Sequence, residues 1–216
     1  MNGPAASSAV VAGVDIGGTK TSGALVAGDG AVLARATRDT PARTGGAAMA
    51  ETAALLVEEL ADDAGVRPAA VGVGAAGVVD HRSGSIRAAS DMFVDWAGFP
   101  LGERLAERLR VGVRVENDVN AFLLGESAWG SGHGRDVLGV MLGTGVGGAL
   151  VLDGRLRHGP YGAAGEIGHT PGYSDLICTC GRTGHLETLA SGTSIVRRYA
   201  AATGRPVASA RAVAAA

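Results

Sequence analysis

Apolar residues follow two different spacings along the chain, and each change of spacing marks a new predicted element. Residues 10–16 form a β-branched run that predicts a strand. Residues 24–27 and 32–36 predict two further strands, and the Asp-Gly pair between them is typical of a hairpin turn. The chain is therefore expected to begin with strands of one sheet.

Helical periodicity appears first at residues 49–64, where apolar residues recur every three or four positions and acidic residues occupy the other face. Gly65 and Pro68 then form a helix stop. The further predicted elements are a strand at 71–74, a turn at Ser83-Gly84, a helix at 101–109, a strand at 113–116 and a helix at 119–128. This alternation of strands and helices predicts an α/β fold.

Glycine becomes more frequent after a predicted turn at 131–134. Strands at 137–142 and 149–152 flank a glycine loop, and this apolar run is too short and too rich in glycine for a membrane span. Residues 186–199 predict a helix that begins near Glu187. No strand or helix stop is predicted after it.

Size and charge narrow the class of protein. With 216 residues the chain can bury a sizeable core, and one domain or two are both plausible. The formal net charge of −2 gives no reason to expect binding to nucleic acid or to a membrane surface. The N-terminus lacks the features of a signal peptide, and the use of only two cysteines suits a reducing compartment. We therefore expect a cytoplasmic protein.

The segment at 165–187 contains the most distinctive chemistry, because it holds both cysteines and two histidines: His169, Cys178, Cys180 and His185. Taken singly, each is more often a small buried residue or a hydrogen-bonded histidine. A disulfide between cysteines one residue apart closes almost no loop. Together the four predict a tetrahedral zinc site, structural rather than catalytic, because four protein ligands leave no open position for water.

Two glycine-rich turns have the composition of phosphate-binding loops. The first contains Asp15, Gly17, Gly18, Thr19 and Lys20, and the second contains Gly143, Thr144, Gly145, Gly147 and Gly148. Glycines let backbone N–H groups approach phosphate oxygens, and Asp15 could hold Mg²⁺ through water. An ordinary glycine turn explains either loop by itself. The pair suggests two phosphate-binding turns that face one nucleotide.

One carboxylate lies where the strand at 113–116 meets the following helix. Asp118 is explained either as the N-cap of that helix or as a general base, with Asn117 as a ligand for a hydroxyl group. An aspartate beside a helix N-terminus is expected to stay ionised and to be a weak base. Phosphoryl transfer tolerates a weak base, because positioning and charge stabilisation provide most of the catalysis.

Six motifs, in this order, resemble the ROK family of sugar kinases, repressors and open reading frames. They are DIGGTK at 15–20, GVGAAGVVD at 72–80, ENDVNA at 116–121, LGTGVGG at 142–148, GEIGH at 165–169 and CTCGRTGHLE at 178–187. The resemblance covers nearly the whole chain. It implies an actin-like, hexokinase-type (ribonuclease H-like) α/β fold whose two α/β domains, at 10–118 and 119–216, close over ATP and a hexose.

The resemblance also implies a role for each matching residue. Asp118 would be the general base that takes the proton of the sugar 6-hydroxyl as this attacks the γ-phosphate. The sugar hydroxyls would be bound by Asn117, Asp118, Glu166, His169 and Glu187. The two glycine loops would bind the phosphates of ATP with Mg²⁺. Zinc would be held by His169, Cys178 and Cys180, with His185 where the family usually has a third cysteine.

The implied function is an ATP-dependent hexose kinase of carbohydrate metabolism, first of all a glucokinase of glycolysis, that forms a homodimer or homotetramer. Kinases for N-acetylglucosamine, N-acetylmannosamine or fructose share these contacts, and residues 89–96 depart from the family's usual pattern near the sugar. A sugar-sensing repressor is the alternative of another class, but only 14 residues precede Asp15, too few for a DNA-binding domain. The chain is shorter than is usual for the family, so the adenosine-contacting turn and the last helix are expected outside it.

Overall fold

The computed structural model describes residues 9–215, and the chain divides into two compact units. The first unit extends to Ala121 and the second begins at Phe122. Residues 1–8, where the sequence predicts no signal peptide, lie outside the described residues, as does Ala216. Within the described range, every helix is too short or too polar to cross a bilayer.

The first unit contains one large sheet, one hairpin and the helices packed on them. Its elements are β1 (Val11–Ile16), β2 (Lys20–Val26), β3 (Val32–Asp39), α1 (Gly46–Ala64), β4 (Ala70–Ala75), β5 (Val78–Asp80), β6 (Ser85–Ala88), α2 (Leu101–Leu109), β7 (Gly112–Asn117) and the start of α3 (Asp118–Trp129). The sheet has the order β3-β2-β1-β4-β7, and β1, β4 and β7 run parallel. Asp15, Gly74 and Glu116 are therefore aligned in register near the carboxyl ends of these three strands.

Helix α1 covers β2 and β3 and supplies much of the core. Its residues Met49, Leu56 and Leu60 are fully buried. Gly23 on β2 permits the close approach, because a Cβ there would lie 3.0 Å from the side chains of both Leu56 and Leu60. The helix ends at Gly65 with a left-handed φ of 65°, as the sequence predicts.

Trp96 fills the other part of this core. It is 0% exposed, and its rings stack with those of Phe93 and Phe99 at centroid distances of 6.3 and 5.7 Å. Its indole N–H donates a hydrogen bond of 2.9 Å to the carbonyl oxygen of Ala76. The turn between β4 and β5 is thus fixed to the core by a buried hydrogen bond.

The second unit contains a smaller antiparallel sheet in the order β10-β9-β8. After the rest of α3, its elements are β8 (Val137–Leu142), β9 (Val146–Leu152), β10 (Arg155–Leu156), a 3₁₀ turn (Ile167–His169), α4 (Glu187–Ala190), α5 (Gly192–Thr203) and α6 (Ala210–Ala214). Leu123 of α3 packs on Gly139 of β8, where a Cβ would lie 2.9 Å from the leucine side chain.

Strand β8 is the edge of this sheet and carries an apolar exposed face. Its alternate residues Leu138, Val140 and Leu142 are 51%, 48% and 62% exposed. Within the described residues, β8 pairs with β9 along one edge, and no strand pairs with the other edge of β8.

Several element boundaries differ from the sequence predictions. The helix predicted at 186–199 is two helices, because Ser191 takes an extended conformation and caps α5 through its side chain. Strand β9 begins at Val146, so Gly147 and Gly148 belong to the strand and the second glycine loop is shorter than predicted. The short β5–β6 hairpin and α6 were not predicted.

Candidate active site and metal centre

Asp15 and Asp118 lie close together at the carboxyl ends of β1 and β7. Gly74, on the strand between them, would place a Cβ 3.4 Å from the Asp118 Cα and 3.8 Å from the Asp15 Oδ1. A small residue on the central strand thus leaves room for both carboxylates at one edge of the sheet. This is the edge at which open α/β sheets bind ligands.

The pKa of Asp118 is raised above the ordinary value of an aspartic acid, mainly because burial disfavours its ionised form. A hydrogen bond from the Val119 N–H lowers this pKa, whereas the negative charge of Asp15 raises it. Taken together, these effects leave the pKa of Asp118 raised. Burial raises the pKa of Asp15 as well. In this structure burial outweighs the helix N-terminus in its effect on the pKa of Asp118.

Asn117, and not Asp118, is the principal N-cap of α3. Its Oδ1 accepts hydrogen bonds from the backbone N–H groups of Val119 and Asn120, at 3.0 and 3.1 Å. Its Nδ2 donates to the carbonyl oxygen of Gly77 at 3.0 Å and to the Asp118 Oδ1 at 2.9 Å. One side chain thus begins the helix, fixes the turn after β4 and orients the carboxylate of Asp118.

Glu116 supports this arrangement from the end of β7. Its Oε1 accepts hydrogen bonds from the Asn117 N–H at 2.9 Å and from the Asn120 Nδ2 at 3.0 Å. Since Asn120 is 4% exposed, its amide is fixed in the interior on the first turn of α3. The backbone on both sides of Asp118 is therefore restrained by side-chain hydrogen bonds.

The first glycine loop is a tight turn between β1 and β2. The Gly17 N–H donates to the carbonyl oxygen of Lys20 at 3.0 Å, and the Thr19 carbonyl accepts from the Thr40 N–H at 2.9 Å. The ammonium of Lys20 forms a surface ion pair of 2.9 Å with Asp39. A Cβ at Gly18 would lie 3.0 Å from the thioether of Met92, so residues 89–96 contact this loop.

In the second unit the four predicted zinc ligands form one cluster. The donor atoms of His169, Cys178, Cys180 and His185 all lie within 4.8 Å of one another. The Nδ1 atoms of the two histidines are 3.2 Å apart. Cys178 Sγ lies 3.7 Å from the His169 Nδ1, and Cys180 Sγ lies 3.3 Å from the His185 Nδ1.

These distances fit a single tetrahedral ion. With Zn–N near 2.1 Å and Zn–S near 2.3 Å, tetrahedral angles place two nitrogens about 3.4 Å apart and a nitrogen about 3.6 Å from a sulfur. The measured donor distances lie close to these values. The cluster therefore has the chemistry and the spacing to hold zinc, with His185 as the fourth ligand.

Glu187 connects this cluster to the second glycine loop. Its Oε2 accepts a hydrogen bond of 2.9 Å from the Val146 N–H, and its Oε1 accepts one of 2.8 Å from the Thr179 hydroxyl. A Cβ at Gly145 would overlap the Glu187 Oε2, so a side chain there would displace the carboxylate from this position. Glu166 is the N-cap residue of the 3₁₀ turn that His169 ends, and Gly168 of this turn packs against the Val146 carbonyl.

A cavity of about 190 Å³ lies between the second glycine loop, the metal-binding segment and α5. Polar groups line it, including the side chains of Thr144, Glu187, Thr193 and Arg197. The Thr193 hydroxyl donates to the carbonyl oxygen of Thr144 at 2.9 Å, and the Gly192 N–H donates to that of Gly143 at 2.8 Å. The N-terminus of α5 therefore holds the loop from one side.

Comparison with known proteins shows to which family the chain belongs. Residues 11–215 match the sequence profile of the ROK family. The chain belongs to the ROK family. A glucokinase of Thermotoga maritima is 41% identical over 187 residues. These residues make up 86% of this chain and 58% of the Thermotoga maritima protein. An N-acetylmannosamine kinase of Escherichia coli is 35% identical over 184 residues, or 84% of this chain and 61% of that protein.

A crystal structure gives the same result for the fold. The ROK family glucokinase from Streptomyces griseus, in complex with glucose and AMPPNP, is 36% identical with a TM-score of 0.80. The match covers 90% of the chain described here and 62% of the Streptomyces griseus glucokinase. The predicted actin-like ATPase fold is thereby confirmed. The ROK chain spans less than two thirds of the length of these relatives.

The structure brings the predicted residues together in two groups, one in each unit. Asp15, Asn117 and Asp118 form the first, and the metal cluster with Glu187 and the second glycine loop forms the other. Sequence reasoning missed the contributions of Gly77, Thr179 and Thr193, which act through contacts with residues at least eight positions away. No spacing rule for local structure could have indicated these contacts.

Proposed function

We propose that the full-length protein containing this chain is an ATP-dependent hexose kinase with Asp118 as its general base, and that glucose is its substrate. The observation that carries the proposal is the oriented, partly buried carboxylate of Asp118 in a chain 41% identical to a glucokinase. A raised pKa makes Asp118 a better proton acceptor than an ordinary aspartate once it is ionised.

In the proposed reaction, the ionised Asp118 accepts the proton of the sugar 6-hydroxyl. The hydroxyl oxygen forms a bond to the γ-phosphorus of ATP, the bond from that phosphorus to the bridging oxygen breaks, and ADP leaves. Asn117 holds the acceptor oxygen of Asp118 in a fixed direction through a hydrogen bond of 2.9 Å. Mg²⁺, bound near Asp15, would neutralise charge on the phosphates.

The other predicted contacts belong to the same proposal. Backbone N–H groups of the two glycine loops bind the phosphates of ATP, and the sugar hydroxyls are bound by Asn117, Asp118, Glu166, His169 and Glu187. Sequence and cluster geometry support a structural zinc at His169, Cys178, Cys180 and His185. We also propose a homodimer or homotetramer, which sedimentation velocity would test.

The main test is Asp118→Asn in the full-length protein, with release of ADP as the assay. The variant is expected to keep sugar binding and to lose turnover by about 10² to 10⁴. Asp62→Asn, on the exposed face of α1, is the matched control and should behave as the wild type. Retention of most of the activity by Asp118→Asn would remove Asp118 from the role of base.

An N-acetylhexosamine is a second candidate substrate, and a specific observation favours it. Residues 89–96 contact the first glycine loop through Met92 and depart from the family's usual pattern, and a relative at 35% identity is an N-acetylmannosamine kinase. A panel of glucose, fructose, N-acetylglucosamine and N-acetylmannosamine, ranked by kcat/KM, decides between these substrates. Preference for an N-acetylhexosamine would replace glucose in the proposal.

Metal analysis of the purified protein tests the zinc site. We expect about one zinc per chain, lost on Cys178→Ser and kept on His185→Cys, because either side chain supplies one ligand at this position. Absence of zinc in protein purified without chelators would contradict the proposed ligand set.

A further inference from the structure

The carboxylate of Glu187 is shared between two parts of the second unit. Its Oε2 accepts the hydrogen bond from the backbone N–H of Val146, the residue that follows the second glycine loop. Its Oε1 accepts the hydrogen bond from the hydroxyl of Thr179 and lies 3.6 Å from the Cys178 Sγ. The side chain thus joins the glycine loop to the metal-binding segment.

On the side of the loop, the contact with Glu187 is one of three anchors. The N-terminus of α5 holds Gly143 and Thr144 through the Gly192 N–H and the Thr193 hydroxyl. Glu187 holds the opposite end of the loop at Val146. Since a Cβ at Gly145 would overlap the Glu187 Oε2, the absence of a side chain there lets the carboxylate reach the backbone.

On the side of the cluster, Thr179 stands between two metal ligands. Cys178 and Cys180 flank it, and Thr179 itself is exposed, so packing does little to fix its position. A metal ion bound by both cysteines fixes the backbone on each side and therefore the direction of the Thr179 hydroxyl. A thiolate bound to metal has no proton to donate, so the Thr179 hydroxyl is then the donor that reaches the Glu187 Oε1.

We propose that Thr179 and Glu187 form a bridge through which metal bound at the His/Cys cluster holds the second glycine loop in position. Thr179 is accordingly a positioning residue: it is not one of the four metal-binding side chains, and it acts through Glu187 on the Val146 N–H. The consequence for nucleotide affinity rests on the proposed function of the glycine loop. The predicted effect on hydrogen exchange of the loop does not depend on that proposed function.

The first test measures hydrogen exchange of residues 143–148 in the full-length, metal-loaded protein. Thr179→Val is expected to keep its metal and to increase exchange at the Val146 amide about tenfold, the loss typical of one hydrogen bond to a charged group. Thr179→Ser keeps a hydroxyl and should behave as the wild type. Thr183→Val changes another exposed threonine of the same segment and is the matched control.

Removal of the metal completes this test. In the wild type, chelation should raise hydrogen exchange of the loop to the level seen in metal-loaded Thr179→Val. In Thr179→Val, chelation should raise this exchange little further. Unchanged exchange in Thr179→Val would overturn the bridge. Loss of metal from Thr179→Val would also overturn it, because Thr179 would then act on metal binding and not on the loop.

Binding of AMPPNP separates the bridge from the proposed function. We expect Thr179→Val to weaken AMPPNP binding and to raise KM for ATP several-fold. Faster loop exchange in Thr179→Val together with unchanged AMPPNP affinity would support the bridge and overturn the role of the loop in phosphate binding.

Discussion

Replacement of Asn117 by alanine tests the link between the helix cap and the candidate base. The substitution removes the Oδ1 that accepts from the N–H groups of Val119 and Asn120, although the Val119 N–H keeps its hydrogen bond to the Asp118 Oδ1. A lost N-cap costs about 1–2 kcal/mol of stability. The substitution also leaves the Gly77 carbonyl without the donor that Asn117 supplies, at a cost of about 1 kcal/mol. The expected total loss is about 2–3 kcal/mol.

Asn117→Ser separates stability from orientation of the base. Serine is also a good N-cap, so it should recover about 1 kcal/mol of this loss. Its hydroxyl is too short to replace the donation from Nδ2 to the Asp118 Oδ1. Both variants are therefore expected to lose turnover by about 10- to 100-fold, because the carboxylate is no longer held in one direction.

Urea unfolding measures the stability terms, with fluorescence of Trp96 as the probe of the first unit. Trp96 is fully buried, and a Trp129→Phe background removes the signal of the exposed tryptophan. Release of ADP measures turnover of the full-length variants. The reasoning is refuted if Asn117→Ala changes stability by less than about 0.5 kcal/mol, the range of ordinary surface substitutions, or if Asn117→Ser restores full turnover.

Three further predictions follow from other contacts. Because the pKa of Asp118 is raised and the base must be ionised, kcat should fall as the pH falls through a value above that of an ordinary aspartic acid; constant kcat down to about pH 4 would contradict this. A Cβ at Gly148 would overlap the Gly165 carbonyl, so Gly148→Ala should cost at least about 2 kcal/mol in thermal unfolding, whereas Gly125→Ala on α3 has open space and should gain up to about 1 kcal/mol. Trp96→Phe removes a buried donor from the Ala76 carbonyl and leaves a cavity, so urea unfolding monitored by circular dichroism should show a loss of about 2–3 kcal/mol, against little change for Trp129→Phe.

Periodicity predicted the regular helices and strands of the first unit well. Helix α2 has the predicted limits, and Gly65 ends α1, because local pattern and helix stop agree there. The break at Ser191 could not be predicted in the same way, since the residues around it are compatible with one continuous helix. At the break Ser191 is extended and caps α5, and the Gly192 N–H donates to the distant Gly143 carbonyl.

The candidate site shows the same division. Ligand chemistry and spacing placed His169, Cys178, Cys180 and His185 in one cluster, and the structure brings their donor atoms together. The raised pKa of Asp118 was not foreseen, because a sequence indicates the nearby helix N-terminus but not the burial that outweighs it. The cap was assigned to Asp118 instead of Asn117 because both residue types favour this position.

The open edge of β8 has a consequence for handling the protein. Among residues 9–215, no strand pairs with the outer edge of β8, and the side chains of Leu138, Val140 and Leu142 beside it are exposed. An unpaired edge with exposed apolar side chains lets identical strands pair between molecules. Expressed by itself, the 216-residue chain should accordingly aggregate through this strand as its concentration rises. Lysine in place of Val140, at the centre of the exposed face, should keep it in solution, because a charge on an edge strand opposes such pairing.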